Sequence, residues 1–100
     1  MAIIVSWTNE AKQTFDANIE YLLQQWTERE IANFIIATNK KIENIKLNPK
    51  IYKRSEKHPS IRKCGINKNI SLFYKYFPRK GEVILLSFWN NRRNPKDLKY

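Results

Sequence analysis

Apolar positions along the chain change their period in a way that divides it into elements. Ile3, Ile4 and Val5 form a β-branched cluster within residues 2–6, which predicts a short strand. Trp7 and an N-cap at Thr8 follow, and then Ala11, Phe15, Ile19, Leu22 and Trp26 recur at helical spacing, with Lys12, Asp16, Glu20 and Gln24 elsewhere around the cylinder. Thr27 and Glu30 stand at the spacing of a capping box, and Trp26 and Ile31 flank them as a hydrophobic staple. A tight helical hairpin is therefore written locally. The second helix is expected from residue 28 to about 47, with Ile31, Phe34, Ile35, Thr38, Ile42 and Ile45 on one face, and Asn48-Pro49 stops it.

Residues 49–60 have no period, contain two prolines and carry Lys50, Lys53, Arg54 and Lys57, with His58 as a further charge when protonated. They read as a basic surface loop. Period-two patterns then predict strands at residues 61–66 and 70–77, joined by a turn at Asn67-Lys68-Asn69. Arg62 and Lys63 should point to opposite faces. In the second of these strands Leu72, Tyr74 and Tyr76 share one side, and Phe73 and Phe77 the other. After Pro78-Arg79-Lys80-Gly81, the run Val83-Ile84-Leu85-Leu86-Ser87-Phe88-Trp89 is apolar on both faces, as expected of a central strand. The order is β-α-α-β-β-β, an α+β fold in which a helical hairpin covers one face of a small, mostly antiparallel sheet. The other face and the strand ends remain for function.

A chain of 100 residues, 42% apolar, fits one domain able to bury its own core. A single cysteine, Cys64, excludes an internal disulfide, and with only His58 beside it no metal and no cofactor is expected. No stretch approaches the length of a membrane span, so a cytoplasmic protein without membrane contact is the simplest expectation. The net charge of +10 is uneven. From Lys40 onward there are seventeen basic residues against four acids, whereas the first 39 residues are mildly acidic. Such a field suits nucleic acid, the ribosome or an acidic protein segment.

The last strand ends abruptly in Asn90-Asn91-Arg92-Arg93-Asn94-Pro95, which presents two guanidinium groups at the tip of a rigid element. Arg92 is the leading candidate there for an anionic partner. Tyr74 suits base stacking or the core with its hydroxyl at the edge, and Trp89 suits either a partner anchor or packing beneath the helices. Cys64 reads as a small core residue, because no histidine is placed to activate it.

Taken together, Trp7-Thr8, the paired helices, Asn48-Pro49, Ile61-Arg62-Lys63, Ile70-Ser71-Leu72-Phe73-Tyr74 and the stretch from Leu85 to Pro95 resemble the RelE/ParE superfamily of bacterial type II toxin-antitoxin toxins. The resemblance implies a toxin neutralised by a cognate antitoxin from the adjacent gene. It implies one of two targets as well: mRNA on the ribosome, cleaved without metal, or DNA gyrase, which is poisoned. By position, Arg62, Lys63, Arg92 and Arg93 match basic positions of the nuclease branch and are the candidate catalytic residues. Tyr74, Trp89, Arg92 and Tyr100 are the candidate partner-binding residues. Two departures stand against catalysis: Ser71 occupies a position where nuclease members often carry arginine, and the aromatic or histidine after the terminal arginine is missing unless Tyr100 folds back. A non-catalytic module that binds only antitoxin or nucleic acid is the alternative.

Overall fold

A computed structural model describes residues 2–100. The elements follow the order β1 (Ile4–Trp7), α1 (Asn9–Gln25), α2 (Glu28–Leu47), β2 (Arg62–Gly65), β3 (Ile70–Phe77) and β4 (Glu82–Asn90), with a 3-10 turn at Pro95–Asp97. The four strands form one sheet in the order β1-β4-β3-β2. β1 runs parallel to β4, and the other pairings are antiparallel. β4, apolar in both registers, is thus internal, as its composition demands.

Both helices begin where their side chains dictate. Thr8 Oγ1 accepts from the Ala11 amide at 3.0 Å, and Thr27 Oγ1 accepts from the Glu30 amide at 3.3 Å. The second cap is half a capping box, because the Glu30 carboxylate faces the Thr27 hydroxyl at 3.5 Å. α2 buries Ile31, Phe34, Thr38 and Ile45, but Ile35 lies at the edge of that stripe and is exposed. Trp7, Phe15, Phe34 and Phe88 interlock across the layers, with successive ring centroids 5.1 to 5.5 Å apart.

β1 is only four residues long, and the backbone of β4 beyond it is completed by a helix instead of a strand. The pairing ends at Trp7 opposite Leu85. From there Thr8 Oγ1 donates to the Leu85 and Leu86 carbonyls. Thr14 Oγ1 accepts from the Phe88 amide at 2.9 Å, and the buried Asn18 amide donates to the Phe88 carbonyl at 3.0 Å. These side chains, spaced along one face of α1, satisfy strand groups that would otherwise be buried unpaired.

A bulge decides which residues of β4 face which way. Tyr74 lies opposite Leu85 and Phe73 opposite Ser87, so Leu86 is the extra residue. Leu85 and Phe88 therefore both join the core under the helices, while Leu86 and Trp89 turn to the opposite face. Strict alternation from Val83 would have put Trp89 beneath the helices. The bulge corrects that reading.

Candidate functional site

The face of the sheet away from the helices carries a small second core of Ile61, Phe73 and Trp89, with Leu86, Leu98 and Tyr100 packed against it. Beside it lies a groove of about 720 Å³. Its floor includes Lys63, Gly65, Ser71 and Phe73; one wall is the loop from Ile51 to Lys57, and the other is formed by Pro95, Leu98 and Tyr100. Lys53, Arg54, Lys57 and Lys63 line it against Glu56 alone. The groove is thus strongly cationic over an aromatic floor, with the Lys63 ammonium 5.9 Å from the Phe73 ring centroid.

The basic loop is held in place by the sheet. Tyr74 Oη donates to the Pro49 carbonyl at 2.9 Å, and Arg62 Nη1 donates to the Tyr52 carbonyl at 2.8 Å. Main-chain bonds continue the anchorage, from Ser55 N to Ile61 O at 2.6 Å and from Lys63 N to Lys53 O at 2.9 Å. The loop runs beside β2 like a partial fifth strand, and its Lys53, Arg54 and Lys57 line the groove.

The opposite wall is a strap. Ser55 Oγ, Lys57 Nζ and His58 Nε2 meet the main-chain oxygens of Tyr100, Leu98 and Lys99 respectively, the latter two at 2.6 and 2.8 Å. Tyr100 does fold back: its ring centroid is 5.8 Å from that of Phe73, and its hydroxyl donates to Glu10 at 3.3 Å. Burial, followed by the adjacent Glu10 carboxylate, raises the Tyr100 pKa. Lys99 also pairs with Glu10, at 3.1 Å, which raises its pKa.

The four candidate catalytic residues are not gathered at one point. Lys63 lines the groove, but Arg62 points to the other face of β2, where it ties down the loop. Arg92 and Arg93 border a separate cleft of about 300 Å³ between α1 and the end of β4, with Thr14, Asn18 and Tyr21. Asn90 shapes that end, accepting from the Arg92 amide through Oδ1 at 2.9 Å and from the Arg93 amide through its carbonyl at 3.0 Å. The Arg93 guanidinium lies 4.8 Å from the Trp89 ring centroid and also lines a third cleft, near Glu10, Asp97 and Tyr100. Neither arginine is in an ion pair among the described residues.

Of the candidate partner-binding residues, Arg92 is exposed and Tyr100 half-buried. Tyr74 is fully buried, so its role is internal, and Trp89 is 8% exposed beneath Arg93. Burial raises the Tyr74 pKa to about 12, against the opposing charge of Arg62. Cys64 is buried in the helix-side core, and desolvation raises its pKa, which removes it as a nucleophile. Ser71 Oγ donates to Asn91 Oδ1 at 3.2 Å, linking the groove floor to the turn before the arginines. Among the described residues no group of three or more His, Cys, Asp or Glu side chains is placed to hold a metal, and no helix is long and apolar enough to cross a membrane.

The sequence did not single out Ser55 or Lys57 as strap contacts, nor Thr14 and Asn18 as the docking contacts of α1. Each of those roles depends on residues 40 or more positions away, for which a single sequence holds no signal.

A family model described as "ParE toxin of type II toxin-antitoxin system, parDE" matches residues 5–95. Among solved structures, the chain is similar to one titled as the chromosomal ParDE TA system from P. aeruginosa, with a TM-score of 0.73 at 12% identity, covering 88% of this chain and 95% of that one. It is also similar to a copper-bound mutant toxin from Helicobacter pylori, with a TM-score of 0.50 at 20% identity, covering 88% and 93%. At these identities the likeness is one of fold. No curated protein matches the sequence.

Proposed function

The chain belongs to the ParE toxin family of type II toxin-antitoxin systems, and from that premise we propose that it arrests bacterial growth by poisoning DNA gyrase, unless a cognate antitoxin covers its basic face. What supports gyrase over mRNA is the chemistry of the groove floor. Metal-free cleavage of RNA needs a base for the 2′-hydroxyl, a charge stabiliser for the phosphorane and an acid for the leaving oxygen, all within reach of one phosphate. The floor instead carries Phe73 and a serine hydroxyl donated to Asn91, with Lys63 as its cation. The Tyr100 phenol is bonded to Glu10, His58 is bonded to the strap outside the groove, and Arg62 is on the other face.

On this reading Lys63 and the loop cations, with Arg92 and Arg93 at the end of β4, bind partners by charge and shape and carry out no bond chemistry. An acidic antitoxin segment and the toxin's target would compete for the same field. The partners are thus a cognate antitoxin and gyrase, and the place of action is the cytoplasm.

Controlled expression in a bacterial host tests this, with growth followed beside reporters of translation and DNA damage. Arrest with DNA-damage signalling and intact mRNA is expected, with relief in a folded Arg92→Ala variant. Rapid loss of translation with trimmed mRNA would replace this reading with the nuclease. Absence of arrest from well-expressed, folded protein would leave a binding module.

A further inference from the structure

The cleft between α1 and the end of β4 keeps two buried carboxamides whose outer ends are unused. Asn18 is 7% exposed and Asn90 9%, and both line it. Asn18 Nδ2 donates both its hydrogens, to the Thr14 carbonyl at 2.8 Å and the Phe88 carbonyl at 3.0 Å, which orients the amide with Oδ1 as its free atom. Asn90 is oriented the opposite way: its Oδ1 accepts from the Arg92 amide, so Nδ2 is the free atom. Among the described residues no side-chain nitrogen or oxygen closed off from solvent lacks a partner, so both free atoms are reached from outside, and the cleft is the space the two residues share.

The two amides are close neighbours. Asn90 lies two residues beyond Phe88 on β4 and shares its α1-facing side, and Asn18 bonds Phe88 itself. Tyr21, one turn on from Asn18, is 37% exposed and supplies an aromatic wall. Arg92 and Arg93 border the cleft, no acid lines it, and the Arg93 guanidinium already lies against Trp89. Arg92 is therefore the cation left for a ligand.

These groups call for a ligand with a hydrogen-bond donor beside an acceptor at its inner end, a flat face and an anionic outer end. A carboxylate or a bare phosphate at the inner end has no hydrogen to offer Asn18 Oδ1 and would set lone pairs against it. A carboxamide side chain has both groups but no aromatic face to lie on Tyr21. The volume, about 300 Å³, is at the lower end of sites that take whole small molecules. We propose that the cleft binds a nucleoside 5′-monophosphate unit, with the base edge on Asn18 Oδ1 and Asn90 Nδ2, the base face on Tyr21 and the phosphate on Arg92. The Watson–Crick edge of each common base carries a donor beside an acceptor, so the amides recognise a base without choosing among bases. The site shares Arg92 with the gyrase reading but does not rest on it, because binding is read with this protein alone.

A titration of the purified, ¹⁵N-labelled protein with adenosine, cytidine, guanosine and uridine 5′-monophosphates, up to about 5 mM and followed by NMR, tests the proposal. The side-chain amide signals of Asn18 and Asn90 should shift saturably, and ribose 5-phosphate should bind about tenfold more weakly, since it lacks the base. Asn90→Asp keeps the acceptor for the Arg92 amide but removes the free donor, and Tyr21→Leu removes the aromatic face at an exposed position. Each should weaken nucleotide binding about fivefold or more, while K12Q/K40Q, at exposed positions outside the cleft, leaves it within about twofold of wild type. Tighter binding of a 5′-phosphorylated trinucleotide would make a single-strand end the source of the nucleotide, and weaker binding a free nucleotide; both sustain the site. No saturable shift, equal binding of ribose 5-phosphate, wild-type affinity in both folded variants, an equal loss in K12Q/K40Q, or equal binding of an acetylated Glu-Gln dipeptide would each overturn it.

Discussion

Arg62 and Tyr74 face each other across β2 and β3, and both direct their polar ends at one loop, Arg62 at the Tyr52 carbonyl and Tyr74 at the Pro49 carbonyl. A pair on the helix side of the sheet thus holds a loop whose cations line the groove on the other side. Both residues stood out in the sequence as direct contacts for a target or partner. Their geometry makes them anchors of the loop that walls the groove.

Tyr74→Phe removes the hydroxyl while keeping the ring in the core, so it should lower stability by about 1 kcal/mol. Amide exchange should quicken over residues 49–57, measured by mass spectrometry, with the helices unaffected. Equal protection of the loop in both proteins would refute the anchoring role.

Alkaline stability should report the same residue. The folded-state pKa of Tyr74 is raised to about 12, so the native protein holds this proton after the unfolded chain has released it near its ordinary value of 10. The contribution is complete below pH 10 and is lost as the pH rises towards 12. The melting temperature of the wild type should therefore fall across that window, and that of Tyr74→Phe should fall less. Parallel curves would contradict the assignment.

Thr14→Val keeps the shape of the side chain but deletes the acceptor for the Phe88 amide. Leaving that strand group without its partner should cost about 1–3 kcal/mol in chemical denaturation. A midpoint unchanged from wild type would mean that β4 does not need α1 to complete its edge.

Thr27→Ala removes the cap of α2 and should cost about 1 kcal/mol. Growth arrest should persist, because Thr27 is exposed at the tip of the helical hairpin and lines none of the clefts described. Loss of arrest from folded protein would show that the hairpin tip takes part in binding.

The helices, strands and turns were legible in the sequence because their signals are short-range. Thr8 and Thr27 cap within three residues, Asn48-Pro49 ends α2 locally, and the period-two pattern of β3 assigns Tyr74 and Phe73 to opposite faces without reference to anything distant. Boundaries moved by a residue or two: β1 is displaced to Ile4–Trp7, and β2 shortens to Arg62–Gly65. The basic character of the open face was equally visible, since charge is carried by composition.

What the site looks like was decided by tertiary structure. One extra residue at Leu86 turned Trp89 from the helix side to the open face, and nothing in the run Val83 to Trp89 marks where a bulge falls, because every register of it is apolar. Arg62 became an anchor because a loop ten residues earlier returns beside β2 and offers it a carbonyl. Tyr100 became part of the groove because Ser55, Lys57 and His58, more than 40 positions away, capture the strap. Local preference fixes which residues can form helix, strand or turn; the partner that satisfies each polar group is chosen only when the layers close and buried groups must be paired.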